Sequence, residues 1–215
     1  MEIYNSEQEQ VEALKAWWDK NGRSVLTALA VFLLSVLGWQ AWNDHRNQQA
    51  EAASSDYQQM VVLMGRDASQ AMEAGRALIA AHPGSVYAVM TSMAMAKLAV
   101  EQQDLDAAAA HLHSAMNESG QPELTLLARQ RLARIELAQG KHEQALATLG
   151  AVAANAVSDE LRGDILLAQG KRDEARAAYA KAIDGYADAT DKRELVQMKL
   201  DDLAPQASMA ENTAE

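Results

Sequence analysis

The chain carries one uninterrupted apolar run near its N-terminus, and the apolar positions after it recur with a helical period. Residues 25–42 read VLTALAVFLLSVLGWQAW, in which Gln40 is the only strongly polar side chain. As a helix this run spans about 27 Å, close to the hydrocarbon thickness of a bilayer. No later stretch alternates apolar and polar residues for long enough to predict a strand. We therefore predict a transmembrane helix over residues 24–43, followed by an all-α domain.

The tryptophans support a membrane anchor. All four lie around the apolar run, with Trp17 and Trp18 before it and Trp39 and Trp42 at its end. Along a helix, Trp18 and Trp39 are roughly 31 Å apart, which matches the two interfaces where indole rings concentrate. A cleaved signal peptide is disfavoured because the preceding segment is acidic and no small-residue cleavage site follows closely. A core helix of a soluble protein is disfavoured because such helices are rarely so uniformly apolar.

Basic residues near the run predict its orientation. Lys15, Lys20 and Arg23 precede it, whereas Arg46 is the only basic residue in the next twenty. Basic residues favour the cytoplasmic side of a membrane helix. We expect a single-pass inner-membrane protein with residues 1–23 in the cytoplasm. The same reasoning predicts that the repeat domain, 44–204, lies on the far side of the membrane, in the periplasm of a diderm bacterium. Residues 205–215, PQASMAENTAE, are predicted to form a flexible tail.

The second half of the chain contains a repeated unit. The sequence LAQGK at 137–141 recurs at 167–171, and each copy lies between two helical patterns. Weaker copies lie at 94–116, where Gln103 replaces the glycine, and at 57–85. A single helical hairpin cannot bury its apolar stripe, so neighbouring hairpins must stack. The sequence predicts a solenoid of helical hairpins.

The best copy, residues 161–183, resembles the tetratricopeptide repeat. Gly163 and Leu166 match the small and bulky positions of the first helix, and Ala175 and Tyr179 match the crossing and aromatic positions of the second. Small residues at a crossing let two helices approach closely. Glu136 stands where the preceding copy should carry a bulky apolar residue. Further matches to the pattern are Ala182, then Leu132, Ala133, Ala145, Leu149 and Val152, and then Met95, Ala96, Ala108, Leu112 and Ala115.

The same resemblance implies a partner-binding surface, because in such arrays the first helix of each pair lines a concave face. Methionine adapts its shape easily, so Met90 and Met93 suit a groove that accepts varied apolar segments. Packing of both residues in the core is an equally open alternative. The predicted partner-binding residues are Met90, Met93, Lys97, Val100, Leu127, Gln130, Arg134, Leu137, Glu160, Asp164 and Leu167.

Charge and motif content argue against other functions. The net charge of -11 disfavours nucleic-acid binding, which needs clustered basic residues, and the absence of cysteine removes thiolate chemistry. His111 and His113 are two positions apart on a predicted helix and point to different faces, so they do not form a metal pair. No nucleotide-binding or hydrolase motif occurs. We expect no catalytic, cofactor or metal site and no small-molecule substrate, with an enzyme as the less favoured alternative.

Several segments together resemble one family. They are the opening MEIY, the segment QVEAL at 10–14 that leads to Trp17-Trp18, the pairs Gly38-Trp39 and Trp42-Asn43, and LVQMKLDDLA at 195–204. This set is similar to the YfgM family, an ancillary subunit of the bacterial SecYEG translocon, and the resemblance extends to about residue 204.

The resemblance implies an adaptor beside the SecYEG channel, next to a membrane-anchored periplasmic chaperone of the PpiD type. In that place it would help pass emerging polypeptides to periplasmic chaperones. Residues 1–23 would restrain a stress-response regulator on the cytoplasmic side. The alternative is a membrane-tethered repeat scaffold that organises another envelope complex or a stress signal.

Overall fold

A computed structural model of the protein describes residues 3–150, 155–187 and 189–203. Every regular element in these ranges is a helix, which confirms the all-α prediction. Val152 and the predicted tail 205–215 lie outside the described residues. The helices are α1 (Ile3–Met64), α2 (Ala68–Ala81), α3 (Val86–Glu101), α4 (Leu105–Glu118), α5 (Pro122–Ala138), α6 (His142–Gly150), α7 (Ala156–Ala168), α8 (Arg172–Gly185) and α9 (Thr190–Asp201).

The chain divides into two units, Met1–Ala52 and Ala53–Glu215. Helix α1 continues through both ends of the predicted membrane segment, since no proline occurs in it and no glycine lies between residue 43 and its end at Met64. In the first unit the most apolar stretch of this helix is entirely unburied, and Leu34 and Trp39 are each 69% exposed. By length and composition α1 can cross a membrane.

The second unit contains three hairpins, α3–α4, α5–α6 and α7–α8, whose turns share one geometry. The residues at the three turns, Gln103, Gly140 and Gly170, have φ of 63°, 74° and 76°. Each following residue donates its backbone N–H to a carbonyl five positions earlier: Asp104 to Ala99 (2.9 Å), Lys141 to Glu136 (2.8 Å) and Lys171 to Leu166 (2.9 Å). This pattern closes a helix C-terminus through a left-handed residue. The sequence repeat is therefore a structural repeat.

Gln103 is the one non-glycine residue with a positive φ in the described chain. A side chain in this region costs about 1–2 kcal/mol relative to glycine. We expect Gln103→Gly to raise the free energy of unfolding by up to about 1 kcal/mol, after the entropy that glycine adds to the unfolded chain is subtracted. Urea unfolding measures this, with Gln102→Gly as the control expected to destabilise. A loss of stability for Gln103→Gly would contradict the shared turn geometry.

Close helix packing occurs at the small residues that the repeat pattern predicts. Ala108, Ala145 and Ala175 are fully buried in the second helices of the three hairpins. A Cβ on Gly163 would lie 2.5 Å from Cδ1 and 2.9 Å from Cζ of Tyr179, so the tyrosine ring occupies the space that the glycine leaves. These contacts confirm a tetratricopeptide-like packing of α7 on α8.

Candidate partner-binding face

The predicted face is only partly accessible. Lys97, Val100, Arg134 and Leu167 are exposed, with 41% of Val100 and 36% of Leu167 accessible. The half-buried members are Met90, Leu127, Leu137, Glu160 and Asp164. Met93 and Gln130 are buried. The exposed members lie on α3, α5 and α7, the first helices of the three hairpins.

Met90 and Met93 differ in how deeply they are packed. The sequence left open whether these two side chains line a groove or lie in the core. Met93 is 5% exposed and belongs to a core cluster that includes Ala96, Leu112 and Ala128. Met90 packs against the same cluster and keeps part of its surface accessible. Met93 is thus a core side chain, and Met90 lies at the edge of the core.

Gln130 has an internal structural contact. Its Nε2 donates to Oδ1 of Asn155 at 3.1 Å and to Oγ of Ser158 at 3.0 Å. These bonds join α5 to the start of α7, because Asn155 also caps α7 by accepting from the Ser158 N–H. Gln130 therefore fixes one hairpin to the next and is not part of the accessible face.

Glu160 and Asp164 form a polar cluster with the last helix. Lys199 of α9 donates from Nζ to Oε1 of Glu160 at 2.8 Å and to Oδ1 and Oδ2 of Asp164 at 2.8 and 3.1 Å. The Tyr186 hydroxyl donates to Glu160 at 2.9 Å and the Tyr179 hydroxyl donates to Asp164 at 2.8 Å. Lys199 Nζ also lies 5.7 Å from the centroid of the Tyr179 ring. We call these five residues the α7–α9 seam.

At neutral pH the carboxylates and the lysine of the seam are charged, and its two tyrosines are neutral. Burial disfavours the charged forms of Glu160 and Lys199. The hydrogen bonds from Lys199 and Tyr186 outweigh burial at Glu160 and lower its pKa, and the hydrogen bonds to Asp164 and Glu160 outweigh burial at Lys199 and raise its pKa. Burial and the Glu160 hydrogen bond raise the pKa of Tyr186 to about 12, and burial and Asp164 raise the pKa of Tyr179 further. Both tyrosines therefore retain the protons that they donate.

Sequence reasoning missed the seam. It placed Glu160 and Asp164 on an open face, whereas both are engaged by Lys199, which lies 39 and 35 positions later in the chain. The helix that carries Lys199 is outside the repeat pattern, so no internal copy predicts its partners. A single lysine between apolar positions in the sequence LVQMKL was the only available signal.

The four tryptophans of the predicted membrane interfaces are all accessible on α1. Their exposed fractions are 50% for Trp17, 48% for Trp18, 69% for Trp39 and 63% for Trp42. Trp18 rests on its own helix at Gly22, where an added Cβ would lie 3.1 Å from its indole ring. The exposed indoles are available to lipid headgroups.

No cluster of three or more potential metal ligands occurs among residues 3–150, 155–187 and 189–203. The charged groups of the predicted face either lie exposed or pair within the seam. The face consists of aliphatic and charged side chains on stacked helices, which suits contact with another polypeptide.

Comparisons with known proteins cover nearly the whole chain. Residues 15–205 match the tetratricopeptide repeat-like domain family. A protein of Haemophilus influenzae named ancillary SecYEG translocon subunit is 31% identical over 93% of this chain and 99% of its own length. The proteins with the same name from Aggregatibacter actinomycetemcomitans and Escherichia coli K12 are 30% and 29% identical, over 92% and 95% of this chain and 97% and 100% of their own lengths.

Proposed function

The chain belongs to the YfgM family of ancillary SecYEG translocon subunits with a tetratricopeptide repeat-like domain, and from this premise we propose that it is a membrane-anchored adaptor beside the SecYEG channel. The observation that carries the proposal is the match to relatives of that name over nearly their full lengths and nearly all of this chain. The match includes both the unburied apolar helix and the stacked hairpins. A role as a scaffold rather than an enzyme agrees with the repeat-like domain.

The finer parts of the proposal concern topology and handover. The N-terminal segment lies in the cytoplasm and the repeat domain lies in the periplasm, because Lys15, Lys20 and Arg23 precede the apolar run. There the adaptor works next to a chaperone of the PpiD type and helps pass emerging polypeptides to periplasmic chaperones. Residues 1–23 restrain a stress-response regulator. Accessible apolar side chains support this contact, since Val11 is 51% and Leu14 is 65% exposed.

Topology has a direct test. We expect the protein to remain in membranes after alkaline carbonate extraction, because the exposed apolar stretch of α1 cannot leave lipid without a large hydrophobic cost. Protease added to intact spheroplasts should remove the repeat domain and spare residues 1–23. A cytoplasmic protein that survives the protease serves as the control. Extraction by carbonate, or protection of the repeat domain, would contradict the anchor or its orientation.

Contact with the channel is tested by photo-crosslinking in native membranes. A photoreactive amino acid at Val100 or Leu167, both exposed on first helices, is expected to crosslink a passing polypeptide or a neighbouring subunit. The matched control is Ala110, which is exposed on the second helix α4. Val100→Glu with Leu167→Glu should reduce capture of apolar segments at least several-fold without changing the melting temperature, because both side chains are already accessible.

The identity of the crosslinked proteins decides between the proposed roles. Enrichment of SecYEG subunits supports the translocon adaptor. Capture of an unrelated envelope complex, with no channel subunit at any position, would instead favour the scaffold alternative.

A further inference from the structure

Helix α9 is attached to the array by a small number of side chains. Val196 is the single fully buried residue of its twelve, and Leu203 just after it reaches the same core cluster as Tyr179. Leu195 and Met198 remain 49% and 58% exposed. No side chain caps the N-terminus of α9. A helix of this length is only marginally stable alone in water, so its helicity depends on docking.

Helix α9 follows α8 in the chain, where the first helix of a further hairpin would come, and it packs mainly on α8. Among the described residues, no second helix follows it to complete that hairpin. The first helices of the three hairpins, α3, α5 and α7, are each joined to a second helix by a tight turn. Helix α9 is thus the last described helix, and it contributes one fully buried side chain to the core.

The seam under α9 has the chemistry of a lysine-binding site. Two carboxylates of α7 face one ammonium group, and two tyrosine hydroxyls orient those carboxylates. Without Lys199, Glu160 and Asp164 would keep their tyrosine donors but lose the ammonium group that bonds to both. Part of the core cluster that Val196 and Leu203 share with Ala178, Tyr179 and Ala182 would also become accessible.

We propose that α9 is a releasable terminal helix, and that the seam it closes is the docking site for a helical segment of a partner polypeptide that presents a lysine beside aliphatic side chains. Helix α9 itself displays this chemistry through Val196, Lys199 and Leu200. The occupant is favoured by charge complementarity, because the vacated seam carries two carboxylates against the single positive charge of Arg134, which acts on Glu160 from α5. The proposal rests on the proposed function, in which the repeat domain receives polypeptide segments.

The test uses the full-length protein in mild detergent and a fluorescent peptide of residues 190–203, TDKRELVQMKLDDL. In the unmodified chain α9 competes with the peptide at a high effective concentration. The variant Lys199→Glu places a third carboxylate in the seam and should release α9. We expect faster hydrogen exchange in α9 and a peptide affinity about tenfold higher, or more, than that of the unmodified chain.

Matched variants test whether the effect depends on the charges of the seam. Lys181→Glu makes the same charge change at an exposed position of α8 and should leave exchange and affinity unchanged. Adding Glu160→Gln and Asp164→Asn to Lys199→Glu should abolish the gained affinity, as should using a peptide that itself carries Lys199→Glu. In each variant that enters the comparison the amides of α7 and α8 must remain protected from exchange, because release of α9 by itself lowers the total helical signal.

The results that overturn the proposal are distinct. If α9 amides remain protected in Lys199→Glu, the helix is not releasable through this contact. If α9 is released but the peptide binds no more tightly, or binds equally well without the two carboxylates, the seam is not a docking site. Exchange of α9 between two copies, seen as a stable dimer of the unmodified chain, would assign the seam to self-association. Failure to crosslink SecYEG would instead count against the proposed function and leave these peptide measurements unaffected.

Discussion

Replacing Ala175 by arginine is expected to abolish cooperative unfolding of the α7–α8 hairpin. Ala175 is fully buried, and it packs in a cluster with Leu166 and Tyr179. A guanidinium at this position would overlap with a close-packed interior and would be buried without a partner, and each effect alone costs several kcal/mol. Since small domains are stable by only about 5–15 kcal/mol, the hairpin should not fold.

The measurement combines thermal circular dichroism with limited proteolysis, because α1 contributes helical signal whether or not the hairpin folds. Cleavage should increase within α7 and α8. Ala145→Arg is expected to have the same effect on α5–α6, since Ala145 is also fully buried. The control is Ala177→Arg, which lies on the exposed side of α8 two positions from Ala175 and should melt like the unmodified chain. A native melting curve for Ala175→Arg would contradict the helix crossing.

Replacing Glu136 by leucine is expected to stabilise the protein. The Glu136 side chain is 1% exposed, and neither carboxylate oxygen has a hydrogen-bond partner. A buried polar group without a partner is destabilising by about 1–3 kcal/mol. Leu166 occupies the equivalent position of the next hairpin, so the fold accommodates leucine there. We expect Glu136→Leu to raise the free energy of unfolding by about 1–3 kcal/mol.

Chemical unfolding of the full-length protein measures this gain in stability. Hydrogen exchange of the α5 and α7 amides shows whether the gain lies in this part of the domain. Glu136→Gln removes the charge but keeps an unpartnered polar group, and its gain should be smaller. Glu143→Leu makes the same substitution at an exposed position of α6 and should change stability by less than about 0.5 kcal/mol. Destabilisation by Glu136→Leu would show that the carboxylate contributes an interaction that leucine cannot replace.

Local pattern was sufficient to predict the hairpins. Each LAQGK segment contains a left-handed glycine, and the two turns make the same hydrogen bonds. A glycine directly after a helix is enough to predict such a turn, because the turn involves only residues that are close in the chain. The contact of Gly163 with Tyr179 was likewise predictable. A protein interior is close-packed, so a position without a side chain must be filled by a large side chain of the neighbouring helix.

Two features could not be predicted from local pattern. They are the full length of α1 and the part of the predicted partner-binding face that is accessible. Hydropathy limits the apolar run to residues 25–42, but the backbone remains helical to Met64 because polar residues also form helices. Met93 and Val100 both lie on α3, yet one is buried and the other is exposed. That difference depends on which neighbouring helix covers each side, and helical period alone does not determine it.

The shared turn geometry also sets the scale on which this molecule can change length. The turns at Gly140 and Gly170 have the same hydrogen bonds and lie thirty residues apart, so the thirty residues between them form one repeating unit of two helices and a turn. Gain or loss of one such unit would lengthen or shorten the stack of hairpins by roughly 10 Å, the usual distance between packed helix axes. The length of the repeat domain can therefore change by one hairpin at a time, while the contacts of the α7–α9 seam stay the same.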